Sequence, residues 1–310
     1  MARMRQPVMV TIAAAVVASA WAVGGCGSGG AADNGGISPA TNTTLIITRD
    51  FGRETIAAPR VLPLARGLTA MRQLQAAAKT ETSYGGRYVT AIDGRAQNMS
   101  AGYDWLFYVD GEEADAGAAA VRLSAGQIVQ WDYHRWRDIQ TGKAIVGAFP
   151  RPLIVRGAVL DCRPVAAPAC RQARTALRNA GVGLRDATGA VRVVVGEWDK
   201  IAAAPGVPEL GAPAAQNGAF ARISGPREQR ELGLVSDDGR TVRTIARGGG
   251  LVAAVRTDGR LTWIVTGADA RGALLAARML TRKQLRGRFA VAVDEHGALP
   301  LPLPSVGGMR

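Results

Sequence analysis

Apolar and polar positions alternate with a period of two through most of this chain, and the period lengthens to that of a helix in three places. Residues 43–56, TTLIITRDFGRETI, read as a strand, a turn at Asp50–Gly52 and a second short strand. Residues 67–80, GLTAMRQLQAAAKT, read as a helix with Thr69 as N-cap and an apolar face of Met71, Leu74 and Ala78. Strand–turn–strand patterns follow at 86–97 and 103–113, turning at Asp93-Gly94 and Asp110-Gly111. Asp-Gly suits a type I′ hairpin, whose two central residues both need positive φ. Two more strands fall at 118–123 and 126–136. The segment GAFPRPLIV, 147–155, reads as a domain junction in which Pro150 and Pro152 exclude helix. Beyond it come a helix at 169–180 closed by Gly181, a buried strand at 190–198, and a long Ala/Pro/Gly loop at 202–218. Strands with Asp-Gly turns at 238–239 and 258–259 are next. A helix over 266–285, capped by Thr266 or Asp269, leads to a closing strand at 287–293. The fold class expected is α+β: a small domain over 43–152, then a second domain of α/β type over 155–298, with a Pro-rich tail at 299–310.

Within 103–113, YDWLFYVDGEE, four of eleven residues are aromatic in a chain that is only 5% aromatic. Alternation sends Tyr103, Trp105, Phe107 and Val109 to one face and Asp104, Leu106, Tyr108 and Asp110 to the other. Trp105 and Phe107 are expected in the core under the first helix. A small sheet has room for few such rings, so Tyr108, Trp131, Tyr133 and Trp136 are expected to form a partly exposed ledge for a flat apolar ligand or a sugar. Arg135 and Arg137 would meet its acidic groups.

The pieces TAMRQLQAAAKT, YVTAIDG, YDWLFYVDGEEADAGAAAVRLSAGQIVQWDY and AIVGAFPRP together resemble the transcobalamin-like C-terminal domain family, small α+β domains also found on bacterial surface proteins. Asp110-Gly111 stands where that family usually has Asn-Gly, which keeps the turn chemistry. Gly126-Gln127 stands where it usually has Gly-Asp. The resemblance covers about 43–152. It implies the fold and, by kinship with vertebrate cobalamin carriers, a cobalamin-like ligand. The helical partner domain of those carriers has no counterpart here, and fold alone does not carry function.

The N-terminus changes the picture of where this happens. Arg3 and Arg5 precede an uncharged run, 7–23, that ends in Val23-Gly24-Gly25-Cys26, resembling a bacterial lipobox. A signal peptide over 1–25 would be removed and Cys26 acylated, followed by a flexible tether over 26–42; the chain is expected lipid-anchored on the extracytoplasmic face of a cell membrane. In an oxidising compartment Cys162 and Cys170 could pair; metal ligation is the rival reading, poorly supplied by only two histidines. The chain carries 38 Lys and Arg against 25 Asp and Glu, net +13, or about +11 without Arg3 and Arg5. The charge looks dispersed and forms no nucleic-acid motif, so its expected use is attraction to anionic lipid or envelope polymer; a GC-rich composition bias, with Arg for Lys and Ala and Gly throughout, explains it as well.

Catalytic patterns are weak. His134 beside Arg135 reads as a solvated side chain, with Asp132 on the same strand face able to orient its ring. Glu112, Glu113 and Asp115 lack the alternating ligands of a calcium loop and read as a solvated turn. Thr266-Gly267 could place an anion at a helix N-terminus, and Gly248–Gly250 could cradle a phosphate, but a cap and a turn are the plainer readings. The expected role is therefore not enzymatic, with no cofactor and no metal: binding a small-molecule nutrient, a corrinoid for example, and presenting it to a membrane transporter. The alternative is an adhesion or assembly module for a protein or polymer, with a hydrolase less favoured.

Overall fold

The computed structural model describes residues 41–136, 143–213 and 217–305. Cys26, the signal-peptide run and Arg137 lie outside the described residues. The first part of the chain supplies β1 (Asn42–Arg49), β2 (Glu54–Pro63), α1 (Ala70–Gln75), β3 (Thr80–Ser83), β4 (Tyr88–Ile92), β5 (Arg95–Ala96), β6 (Tyr103–Val109), β7 (Glu112–Glu113) and β8 (Ile128–Arg135). The second supplies α2 (Arg151–Arg156), β9 (Ala158–Arg163), α3 (Pro168–Asn179), β10 (Val191–Glu197), α4 (Trp198–Ile201), β11 (Ala221–Ser224), β12 (Glu231–Val235), β13 (Thr241–Ile245), β14 (Gly250–Thr257), β15 (Arg260–Gly267), α5 (Ala270–Arg278), α6 (Arg282–Leu285), β16 (Ala290–Asp294) and β17 (Gly297–Leu301). The class is mixed α and β, dominated by sheet. Among these helices none is long and apolar enough to cross a membrane.

A five-stranded sheet runs β2-β1-β8-β6-β7 and a six-stranded sheet runs β17-β16-β14-β15-β10-β9; β3-β4-β5 and β11-β12-β13 are small three-stranded sheets. In the six-stranded sheet β9, β10 and β15 are parallel, while β14, β16 and β17 are antiparallel. Alternation within its strands feeds two cores. Val193, Val195, Trp263, Val265 and Val291 meet α3 and α5 on one side. Val194, Ile264, Leu251 and Ala292 point to the other side, where they join Phe220, Leu232 and Leu234 and also Phe51, Tyr108 and Ile145 from the first part of the chain. The outer face of the five-stranded sheet builds a third core from Leu45, Ile47, Trp105, Val129 and Trp131 under α1. In layer order, then, both sheets separate α3 and α5 from α1.

The described residues fall within one compact unit, and the stretch around Pro150 is not an exposed linker. Ile145, Val146 and Phe149 are 3% exposed or less, and Val146 N donates to Phe289 O at 3.1 Å. Nor do the prolines exclude helix: α2 starts at Arg151 with Pro152 in its first turn, where a missing N–H costs no hydrogen bond. The expected tail also starts too early, since Gly297–Leu301 pairs with β16. Other local readings match the structure. Thr69 Oγ1 accepts from Arg72 N at the start of α1, though that helix ends at Gln75. Asp93-Gly94, Asp110-Gly111 and Asp258-Gly259 all have positive φ at both residues. At 238–239 only the glycine does.

Candidate functional site

The pairing of β6 with β8 places Phe107 opposite Trp131 and Trp105 opposite Tyr133 on the outer face of the five-stranded sheet. Phe107 and Trp131 stack at 4.8 Å, inclined by 22°. Met71 from α1, Tyr88 from β4 and the loop 113–118 stand around these rings and leave a cleft of about 350 Å³. Its polar edge is Asp104. The Tyr88 hydroxyl donates a short hydrogen bond to the Asp104 carboxylate, and Asp104 Oδ1 accepts from Trp105 N at 2.8 Å. Burial, and then that hydrogen bond, holds the Tyr88 hydroxyl well above its ordinary pKa, so it stays a donor. Trp105 Nε1 is satisfied by Arg95 O at 2.9 Å, whereas Trp131 Nε1 is buried without a partner. On the other rim, Arg256 reaches in from β14 and binds Asp115 through two contacts of 3.1 and 2.7 Å. That pairing lowers the Asp115 pKa. Burial raises that of Glu113.

The ledge expected from the sequence is not there. Tyr108 is 0% exposed, Trp131 2% and Tyr133 8%, and Trp136 is half-buried with its indole N–H enclosed. The reason is that the inner face is sealed against the second part of the chain and the outer face is partly covered by α1 and its neighbours, which leave room only at the cleft. Tyr108 points inward and meets Phe289 edge-on at 5.2 Å. Tyr133 packs between Tyr103 and Trp105 and donates its hydroxyl to Ala96 O at 3.0 Å. Arg135 sits half-buried at the end of β8. Of the four aromatic residues proposed for the ledge, only Trp131 borders the cleft. Trp105 and Phe107, assigned to the core, border it too, with Phe107 half-buried. Met71, Tyr88 and Asp104 were missed as site residues. The one available signal was that Asp104, a carboxylate inside an aromatic strand, needs a donor.

His134 is also not a solvated side chain. It is 2% exposed, with Nδ1 at 2.7 Å from Asp132 Oδ1, so Asp132 does orient the ring. Asp132 further accepts from Phe51 N at 2.9 Å, Gly52 N at 2.7 Å and Thr48 Oγ1 at 2.6 Å. Asp50, Phe51 and Gly52 all have positive φ, a costly run for residues with side chains, and the buried carboxylate ties it down. The turn drives Phe51 into the inner core, stacked on His134 at 4.2 Å and edge-on to Phe220 and Phe289. This cluster holds structure together.

The remaining candidates resolve locally. Glu112 pairs with Arg156 at 2.7 Å and Asp115 with Arg256 at 2.7 Å, so two of the three acids of the turn are ion-paired while Asp115 stays exposed to solvent. Among the described residues no group of three or more His, Cys, Asp or Glu could hold a metal ion. Cys162 and Cys170 are joined by a disulfide, with Cα atoms 5.7 Å apart. The N-terminus of α5 is filled by its own cap: Asp269 accepts from Gly272 N at 2.7 Å and from Gly248 N at 2.9 Å. The glycines there permit close approach, since a Cβ on Gly272 would sit 2.1 Å from Gly249 O. A larger notch of about 710 Å³ lies among the loops 186–192 and 257–262, but no aromatic side chain lines it.

Residues 67–135, which span α1 to β8, match the family model described as Domain of unknown function (DUF4430). Two solved structures show similarity over 30% of the chain. One is a protein of Ruminococcus gnavus ATCC 29149 provisionally described as metal-binding, with 14% identity, 95% of that chain covered and a TM-score of 0.24. The other is haptocorrin in complex with Cbi, with 17% identity, 25% of that chain covered and a TM-score of 0.25. Among curated proteins nothing matches. The residues that line the aromatic cleft all lie within the segment that the family model matches.

Proposed function

We propose that this protein is a lipoprotein of the bacterial cell envelope, anchored through Cys26, that binds a small molecule in the aromatic cleft and presents it to a membrane transporter. The role is not enzymatic. The observation that carries this reading is the cleft itself, in which Phe107, stacked on Trp131, offers a ring face beside the Tyr88–Asp104 pair. Mostly apolar concavities with a few fixed polar groups are the usual form of small-molecule sites, and about 350 Å³ falls at the small end of their range. A cleft of this size holds one ring system with a hydrogen-bonding edge. A corrinoid would lie across its mouth with one edge inserted.

Tryptophan fluorescence tests the reading, because Trp105 and Trp131 both border the cleft. The protein is titrated with a panel of corrinoids, haems and glycans. Saturable quenching by one class, lost in Phe107→Ala, is the expected result. Unchanged fluorescence across the panel refutes the small-molecule reading.

A further inference from the structure

The even dispersal of positive charge along the sequence does not survive folding. Between Asp161 and Asp186 the chain has no acidic residue, and between Asp269 and Asp294 it again has none. These two segments hold α3, α5 and α6. Helices α3 and α5 lie against each other and share one core on the same side of the six-stranded sheet. Their apolar stripes, Ala169, Ala173 and Leu177 on α3 and Ala273, Ala276 and Ala277 on α5, face the sheet, so their charged positions face out. Arg171, Arg178, Arg271, Arg278, Arg282, Lys283 and Arg286 are exposed and Arg174 is half-buried. Only Arg271 has an acidic partner among the described residues, an exposed contact with Glu295 at 3.1 Å. Elsewhere some arginines are compensated, Arg156 by Glu112, Arg230 by Asp199, Arg243 by Asp294 and Arg256 by Asp115, while others, among them Arg66, Arg222 and Arg247, are exposed, Arg222 and Arg247 in stretches of chain that also carry acidic residues.

We infer that the outer face of α3, α5 and α6 is a docking surface for an anionic phospholipid bilayer. A layer of cations in which Arg271 alone is paired with a carboxylate, that of Glu295, is complementary to a sheet of phosphate headgroups, and each cation near such a surface adds to the attraction. The Arg side chains are long enough to hold their charge in the headgroup layer while the helices stay outside it. The layer order gives docking a consequence. With both sheets between α3 and α1, a molecule lying on its basic face turns the aromatic cleft away from the bilayer. The inference rests on the envelope reading only in taking a membrane as the surface within reach.

The test uses the full chain and two vesicle compositions: phosphatidylcholine alone, and phosphatidylcholine with about one-quarter phosphatidylglycerol. Expected by co-sedimentation is a preference of about tenfold or more for the anionic vesicles, lost at about 1 M salt, where the screening length is about 3 Å. Arg171→Glu, Arg178→Glu, Arg278→Glu and Arg282→Glu combined should abolish that preference. Arg66→Glu, Arg222→Glu, Arg240→Glu and Arg247→Glu combined make the same change in net charge and should leave it within about twofold. Residues 1–41 are common to all the proteins, so any contribution from them cancels in the comparison. Arg→Gln at the four helical positions adds no repulsion and should still weaken the preference about threefold or more. Equal loss in both Glu sets, or no lipid preference at all, overturns the inference. So does loss of binding to a soluble anionic polyphosphate polymer with vesicle binding intact, which would make polymer the partner. The mass of the Cys26 peptide and the fluorescence titration report separately on the envelope and ligand readings.

Discussion

The two faces of the five-stranded sheet are built from the same strands, one residue apart, and they do opposite work. On the outer face, Phe107 and Trp131 stack beside a cleft and leave one ring half-buried. On the inner face, Leu106, Tyr108, Asp132 and His134 are pressed against the second part of the chain, and the Asp132 carboxylate is spent on His134, Thr48 and the backbone of Phe51 and Gly52. The contrast teaches that an aromatic-rich strand does not announce a binding surface. What decides is whether something packs on that face. The histidine–aspartate pair, the most enzyme-like motif in the chain, sits on the sealed side; the ring with room beside it sits on the open side.

Substitutions on the two faces should therefore separate stability from binding. The largest effect is expected from Asp132→Ala, which strands the backbone N–H groups of Phe51 and Gly52 and removes the partner of His134; urea unfolding should show a loss of about 3–5 kcal/mol. A loss under about 1 kcal/mol would mean that the carboxylate does not hold the 50–52 turn. Gly52→Ala comes next. Its φ is +72° and a Cβ would lie 1.8 Å from Gly287 O, so the contact between the two parts of the chain must shift. The expected cost is about 2–4 kcal/mol in the same assay.

Phe107→Ala should reverse the balance, with a stability loss of only about 1–2 kcal/mol for a half-buried ring. Ligand affinity should fall about tenfold or more, since one face of the cleft is gone. Intact affinity would place the ligand elsewhere. Tyr88→Phe removes one hydrogen bond and should cost about 1 kcal/mol.

Smallest is a pH effect at the rim. Burial raises the Glu113 pKa in the folded protein above its ordinary 4.5. A raised carboxyl pKa means that the folded state binds the proton more tightly than the unfolded one. Its contribution is fully present below about pH 4.5 and is lost as pH rises through the folded value. Glu113→Gln should therefore lose less stability than the parent between pH 4 and pH 7, read from urea midpoints at the two values. Parallel behaviour of the two proteins would show that Glu113 is not desolvated.

Much of the fold was legible because its signals are local. Period-two alternation sorted Trp105 and Phe107 from Leu106 and Tyr108, since successive side chains in a strand must point to opposite faces. Asp-Gly pairs marked three of the tight turns, because they tolerate two successive positive φ values. Asp269 capped α5, as a short carboxylate before an apolar helical run should. Less of the candidate site could be read. Trp131 and Phe107 are neighbours only because β8 pairs with β6, while Tyr88 and Met71 reach the cleft from β4 and α1.

The sequence by itself determined which residues share a strand face, where the chain turns and which helix ends are capped, because each depends on a few covalent neighbours. Only the tertiary structure decided which faces are covered. Burial of Tyr108 and His134 depends on Phe289, far along the chain. The gathering of cations on α3, α5 and α6 depends on two distant helices packing on one side of one sheet. Alternation sets a direction for each side chain, and long-range packing determines what lies in that direction.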